Sequence, residues 1–180
     1  MIAVTNREPR GTAVAVRDAA TISLRPVRPV DAPAIRTFLD AVSSDSLSLR
    51  FFGAPDLDGT AELMASDRYG DTFAVLALAG SPAQIVAHAS YVRTGARHAE
   101  VAFLVADRWQ GRGIGTILLE RLVAHAGRDG VSRFVADVLP RNHRMLAMFR
   151  RTGLPLEIRC GEDAMVLDLC VDAAWARAAA

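Results

Sequence analysis

The chain has 180 residues, 51% of them hydrophobic, which suits one globular domain with a buried core. Its formal net charge of +1 gives no electrostatic case for DNA, RNA or an anionic membrane as partner, and all 21 basic residues are arginine. The apolar run Phe73 to Gly80 is too short to span a bilayer and the first twenty residues lack the apolar centre of a signal peptide, so a cytoplasmic protein is expected.

Residues 1–21 carry no hydrophobic period and are expected to be a flexible leader, with order beginning at Ile22. Ile22 to Val27 reads as a strand. Asp31 is expected to cap a helix whose apolar positions Ile35, Phe38, Leu39 and Val42 recur at helical spacing, with Pro33 in its first turn. Ser44 to Phe52 and Leu57 to Ser66 read as two further helices, with Phe51 and Phe52 expected in the core. Thr72 to Leu78, Gln84 to Arg93 and His98 to Val105 follow as strands, and the turns at Gly80-Ser81-Pro82 and Gly95-Ala96 predict an antiparallel meander.

Ile114, Ile117, Leu118, Leu122 and Val123 line one face of the next helix, which must lie on the sheet and end near Gly127. Val131 to Val138 then reads as a strand parallel to the one around Phe103, joined to it by a crossover. A short helix runs from Asn142 toward Gly153, and a hairpin, Leu156 to Cys160 with Ala164 to Leu169, completes the domain at about residue 172. Residues 173–180 read as a tail, or as a linker to a missing domain. Cys160 and Cys170 are expected to be reduced, apolar core residues.

The most informative stretch is Trp109-Gln110-Gly111-Arg112-Gly113-Ile114-Gly115-Thr116, between an apolar strand and a helix. A helix that opens in glycines leaves main-chain N–H groups uncovered at its positive end, which seats a phosphate. The dinucleotide fingerprint does not fit, because five residues separate strand from glycines and its last position is Thr116, although Asp137 stands where a ribose-binding acid would sit. A Walker loop does not fit either, for want of Gly-Lys-Ser/Thr.

Gln110-x-x-Gly113-x-Gly115, with Asn142 opening the helix after the next strand, resembles the pyrophosphate motif of the GNAT superfamily of acyl-CoA-dependent N-acyltransferases. That resemblance implies an α/β fold whose central mixed, mostly antiparallel sheet has a parallel pair at the acyl-CoA cleft and helices on both faces. It implies acetyl-CoA as cosubstrate and no metal; His88, His98 and His143 have no metal-ligand spacing. Main-chain groups of Gln110, Gly111, Arg112, Gly113, Ile114, Gly115 and Thr116 would hold the pyrophosphate, with the Arg112 side chain either a charge partner or a solvated surface group. The backbone of Phe103, Leu104 and Val105 would pair with the pantetheine arm, the Leu104 amide acting as oxyanion donor.

Glu100 is the candidate general base. It interrupts the otherwise apolar Ala99-Glu100-Val101-Ala102-Phe103, and it matches the strand glutamate that takes the amine proton in many GNAT enzymes. His98 shares its strand face; Glu120 is a weaker candidate on a helix. Asn142 is a favoured helix N-cap as well as the family's pantetheine contact. Where many relatives carry a tyrosine acid, this chain has Phe149, which donates no proton.

Arg25-Pro-Val-Arg28 through Arg36, and Ser-Leu-Ser-Leu-Arg50-Phe-Phe-Gly53, extend the resemblance over residues 22–172 to the bacterial protein lysine acetyltransferases of Pat type. It implies as acceptor the active-site lysine of an AMP-forming acyl-CoA synthetase, a groove near Leu47 to Phe52, and a fused acyl-CoA-synthetase-like domain absent from this chain. Acetylation of a small amine, such as an antibiotic or polyamine, and acyl-CoA sensing without turnover are the alternatives.

Overall fold

The computed structural model describes residues 12–16, 21–66 and 70–172. Its elements are strands β1 (Thr12–Ala15), β2 (Thr21–Pro26), β3 (Thr72–Ala79), β4 (Gln84–Arg93), β5 (His98–Val105), β6 (Arg133–Val138), β7 (Leu156–Cys160) and β8 (Met165–Cys170). Helices α1 (Ala32–Asp40), α2 (Ser44–Phe51), α3 (Leu57–Ala65), α4 (Ile114–Ala126) and α5 (His143–Arg150) complete it.

The strands form one sheet in the order β1-β2-β3-β4-β5-β6-β8-β7, antiparallel throughout except for the parallel pair β5 and β6. This is the expected GNAT α/β architecture. Along β5, Ala99, Val101 and Phe103 are buried on one face while His98 and Glu100 are exposed on the other, the period of two that a strand between unequal faces demands. Ile114, Leu118 and Leu122 of α4 pack with Leu146 and Phe149 of α5 onto the first face. Ile35, Phe38 and Leu39 of α1 cover the second with Met64 of α3, over Leu76 and Leu104.

Four local expectations are corrected. Thr12–Ala15, within the stretch read as a patternless leader, pairs antiparallel with β2 as an edge strand; residues 1–11, 17–20 and the tail 173–180 lie outside the described residues. Asp31 does not cap α1 with its side chain. Its carboxylate turns back to accept two bonds of 2.7 Å from Arg25 and one of 2.8 Å from the Arg28 N–H, because a bidentate guanidinium is the stronger partner.

Phe52 is 48% exposed and adopts φ 61° at the C-terminal end of α2, whereas Phe51 is half-buried against the second core. Cys160 is exposed and Cys170 half-buried, at opposite ends of the β7–β8 hairpin.

Candidate active site

The parallel pair is short. β5 and β6 pair only from His98–Arg133 to Glu100–Val135, although β5 runs on to Val105 and β6 to Val138. Beyond Glu100, β5 stays with β4 as far as Val105–Ala87, and β6 stays with β8 as far as Val138–Met165. The two strands therefore part into a fork whose inner edges are not paired to each other. An extended ligand arm can enter such an opening as an added strand.

Which amides face the fork follows from the ladder. Ala106 donates to the Val86 carbonyl at 2.9 Å and Thr94 to the His98 carbonyl at 3.0 Å, so even-numbered residues of β5 turn their N–H and C=O toward β4. Arg133 donates to the Arg97 carbonyl at 3.0 Å, on the opposite side. By this alternation Val101, Phe103 and Val105 face the fork, and the Leu104 N–H faces His88 on β4. The Leu104 amide, expected as the oxyanion donor, is thus turned away from the fork, whereas those of Phe103 and Val105 face it. Leu104 contributes its side chain, which is buried under α1.

The glycine loop begins after a 3-10 turn at Asp107–Trp109. Gly111 at φ 78° and Gly113 at φ 88° hold backbone conformations that other residues rarely adopt, and an added Cβ at either would enter open space. Gly113 is the N-cap of α4 and supplies no capping side chain, so the first-turn N–H groups keep no side-chain partner from that position. Uncovered N–H groups at a helix start are of the kind that seat a phosphate. Ile114, 1% exposed, pins the helix start to the core.

Gly115 serves packing: its Cβ would stand 2.8 Å from Met148 Sδ on α5. The Arg112 guanidinium lies 5.0 Å from the Trp109 ring centroid. Thr116 is exposed, beside a small cavity of about 80 Å³ between α4 and the end of α5.

Glu100 sits at the vertex of the fork. It is exposed, shares its face with exposed His98, and stands opposite Val92, itself 44% exposed, on β4. Arg50 of α2 lies within electrostatic reach of both Glu100 and His88. Burial lowers the Arg50 pKa while the Glu100 charge opposes that shift, and its Nε has no hydrogen-bond partner. His88 is fully buried against the Met64 carbonyl, 3.3 Å away, and burial, with the Arg50 charge, pushes its pKa down to about 4, so the ring is neutral.

Asn142 caps α5, its Oδ1 accepting from the Met145 N–H at 3.2 Å. Phe149 is 1% exposed and meets Phe103 edge-on, with ring centroids 6.1 Å apart. It is a core residue behind the fork. Glu120 is exposed on α4, away from the β5 face that carries Glu100.

Sequence reasoning missed a polar clasp between the glycine loop and α2. Asp107 Oδ2 accepts from the Ser43 N–H at 2.9 Å, and Oδ1 accepts from the Ser43 and Ser46 hydroxyls at 2.7 Å each. Burial alone would raise the Asp107 carboxyl, but these bonds hold it below the usual carboxylate range. Gln110 Nε2 donates at 3.0 Å to both Ser46 Oγ and the Val105 carbonyl, while Arg144 of α5 donates to Gln110 Oε1. The only local signal was Ser43 as an N-cap; its loop partner is 64 residues away.

Residues 42–154 match the family model described as Acetyltransferase (GNAT) family. The chain belongs to the GNAT acetyltransferases. GNAT acetyltransferases use acetyl-CoA. The GNAT domain is 36% identical over 143 residues to Acetyltransferase Pat of Mycolicibacterium smegmatis, a match covering 78% of this chain and 43% of that protein. It superposes on the crystal structure of the GNAT domain of S. lividans PAT with a TM-score of 0.79 and 31% identity, covering 88% of this chain and 95% of that one. A cAMP-binding acyltransferase from Mycobacterium smegmatis matches with a TM-score of 0.62 and 31% identity, over 89% of this chain and 47% of the other. The chain thus spans about half the length of these longer relatives. No described helix is long and apolar enough to cross a membrane.

Proposed function

We propose that this GNAT domain is a cytoplasmic protein lysine N-acetyltransferase of Pat type, acting on the active-site lysine of an AMP-forming acyl-CoA synthetase. The observation that carries the reading is the likeness to the PAT GNAT domain, 31% identical across 95% of its length. In this reading the loop Gln110 to Thr116 receives the pyrophosphate of acetyl-CoA, and the amides of Phe103 and Val105 face its acyl-pantetheine arm.

Acetyl transfer requires a neutral amine. A lysine ammonium with a pKa near ~10.4 is almost fully protonated at neutral pH, so Glu100 takes its proton, directly or through water. The freed nitrogen attacks the thioester carbonyl carbon, and negative charge grows on the carbonyl oxygen, where fork-facing N–H groups stabilise it. The C–N bond forms, the nitrogen gives up its second proton to water, and the C–S bond breaks with its electron pair leaving on sulfur. Phe149 supplies no proton to that sulfur, and none is needed to expel it, because a thiol of pKa about 8.5 leaves readily as thiolate.

The test is acetyl transfer from acetyl-CoA to an AMP-forming acyl-CoA synthetase, beside its lysine-to-alanine variant, spermidine and an aminoglycoside. Modification of the intact synthetase alone supports the reading. Preferential turnover of a small amine overturns the acceptor assignment, and acetyl-CoA binding without transfer to any of them identifies a sensor.

A further inference from the structure

No residue of helix α2 is wholly enclosed; Leu47 and Phe51 rest, half-buried, against the second core. Eight residues are too few to form a stable helix by themselves, so tertiary contacts must hold this one. Most of its polar contacts gather at one end, with Ser48 Oγ further along also accepting from Arg141 at 2.8 Å. Ser43 caps the helix by accepting from the Ser46 N–H at 3.2 Å, and Asp107 then takes both hydroxyls and the Ser43 N–H. Gln110 completes the array by donating to Ser46 Oγ. Each serine hydroxyl donates once and accepts once, so the clasp is internally satisfied.

Asp107 and Gln110 flank the start of the glycine loop, and Gln110 also holds the Val105 carbonyl at the edge of the fork. At the opposite end of α2 are Arg50, whose guanidinium stacks 4.7 Å from the Phe51 ring centroid, and Phe52, strained at φ 61° and half exposed. Arg50 is a cation within electrostatic reach of Glu100, on a helix that packs against β5. One short helix thus has the cofactor loop at its first turn and the candidate base beside its last.

We propose that Ser46 and Asp107 are positioning residues: through them the glycine loop fixes α2, and with it Arg50, on the acceptor side of Glu100. The inference rests on acetyl-CoA binding at this loop. Ordering of the loop by its ligand then lowers the opening of α2. Neither Ser46 nor Asp107 has a chemical role in acetyl transfer.

Hydrogen exchange of the full chain with and without acetyl-CoA tests this, since exchange reads local opening directly. In the wild type, acetyl-CoA should slow exchange of residues 44–52 at least fivefold. Ser46→Thr, which keeps the hydroxyl, should retain that effect; Ser46→Ala should reduce it below twofold while the glycine loop and α4 are protected as in the wild type. Asp107→Asn should behave like Ser46→Ala. Equal protection of α2 in Ser46→Ala and wild type, or no protection of α2 in the wild type while the loop is protected, overturns the proposal. If acetyl-CoA protects neither segment, the cofactor assignment falls and this inference with it. Exchange of β3 and β4 in the free variants reports whether they are folded.

Discussion

Glu100 faces Val135 across the last rung of the parallel pair, so the carboxylate stands where the two strands begin to part. A base at a fork vertex can meet an amine arriving from the exposed sheet face while the thioester lies between the strands. Replacing Glu100 with Gln keeps the shape and removes the base, and should lower the rate by ~10²- to 10⁴-fold at neutral pH with acetyl-CoA affinity nearly unchanged. The measurement is the pH-rate profile of both proteins; superimposable curves with similar plateaus would move the base elsewhere.

Gly113 and Gly115 of the loop should fail differently. Gly113→Ala forces a side chain into φ 88° at the helix N-cap, and should weaken acetyl-CoA binding by about tenfold, equivalent to ~1.4 kcal/mol. Gly115→Ala meets only the Met148 thioether, a flexible group, and gains helix propensity, so its stability should stay within about 1 kcal/mol of wild type. Calorimetric titration and urea denaturation separate the two effects. Equal affinity losses would place Gly115 in the cradle as well.

Phe149→Ala should act through the core. The ring is buried and packs edge-on against Phe103, so its loss should cost about 3–5 kcal/mol in denaturant-measured stability. Phe149→Leu should recover much of that stability. A fall in rate in Phe149→Leu without a fall in stability would assign the ring a role at the thioester.

His88 makes stability depend on pH. Its folded pKa of about 4 lies below the ordinary value of 6.5, so the unfolded chain binds the proton more readily. Its contribution is complete above pH 6.5 and is lost as pH falls toward 4, by up to ~3 kcal/mol. Arg50, the neighbouring charge, stays cationic across this range and adds to the shift. Denaturation midpoints at pH 7.5 and 4.5 for wild type and His88→Gln provide the check, and an equal pH dependence in both would acquit His88.

The absence of lysine gives a further expectation. With acetyl-CoA alone the chain has no side-chain amine of its own to modify, so intact-mass spectra should show no acetyl addition beyond the N-terminal amine. Several additions would point to cysteine or hydroxyl chemistry.

Much of the fold was legible in the sequence because its signals are local. Strands β3, β4 and β5 lie within a residue of their expected bounds, and α4 begins at Ile114 as the glycines and apolar spacing require. The parallel pair followed from the strand-helix-strand order. Glu100 and the glycine loop stood out because each breaks its surroundings, a charge in an apolar strand and glycines at the start of a helix.

What only the tertiary structure decided depends on partners distant in the chain. The four-residue β1 carries too little pattern to declare itself and exists by pairing with β2. Whether Leu104 or Phe103 offers its N–H to the fork is set by the phase of the ladder with β4, which the side-chain pattern of β5 alone does not reveal. Gly115 is small for Met148, and Asp107 is charged for Ser43 and Ser46, across separations of 64 and 61 residues in the latter case. Periodicity reports which face of an element is apolar; it carries no term for which distant group will meet it, and that is settled when the helices dock on the sheet.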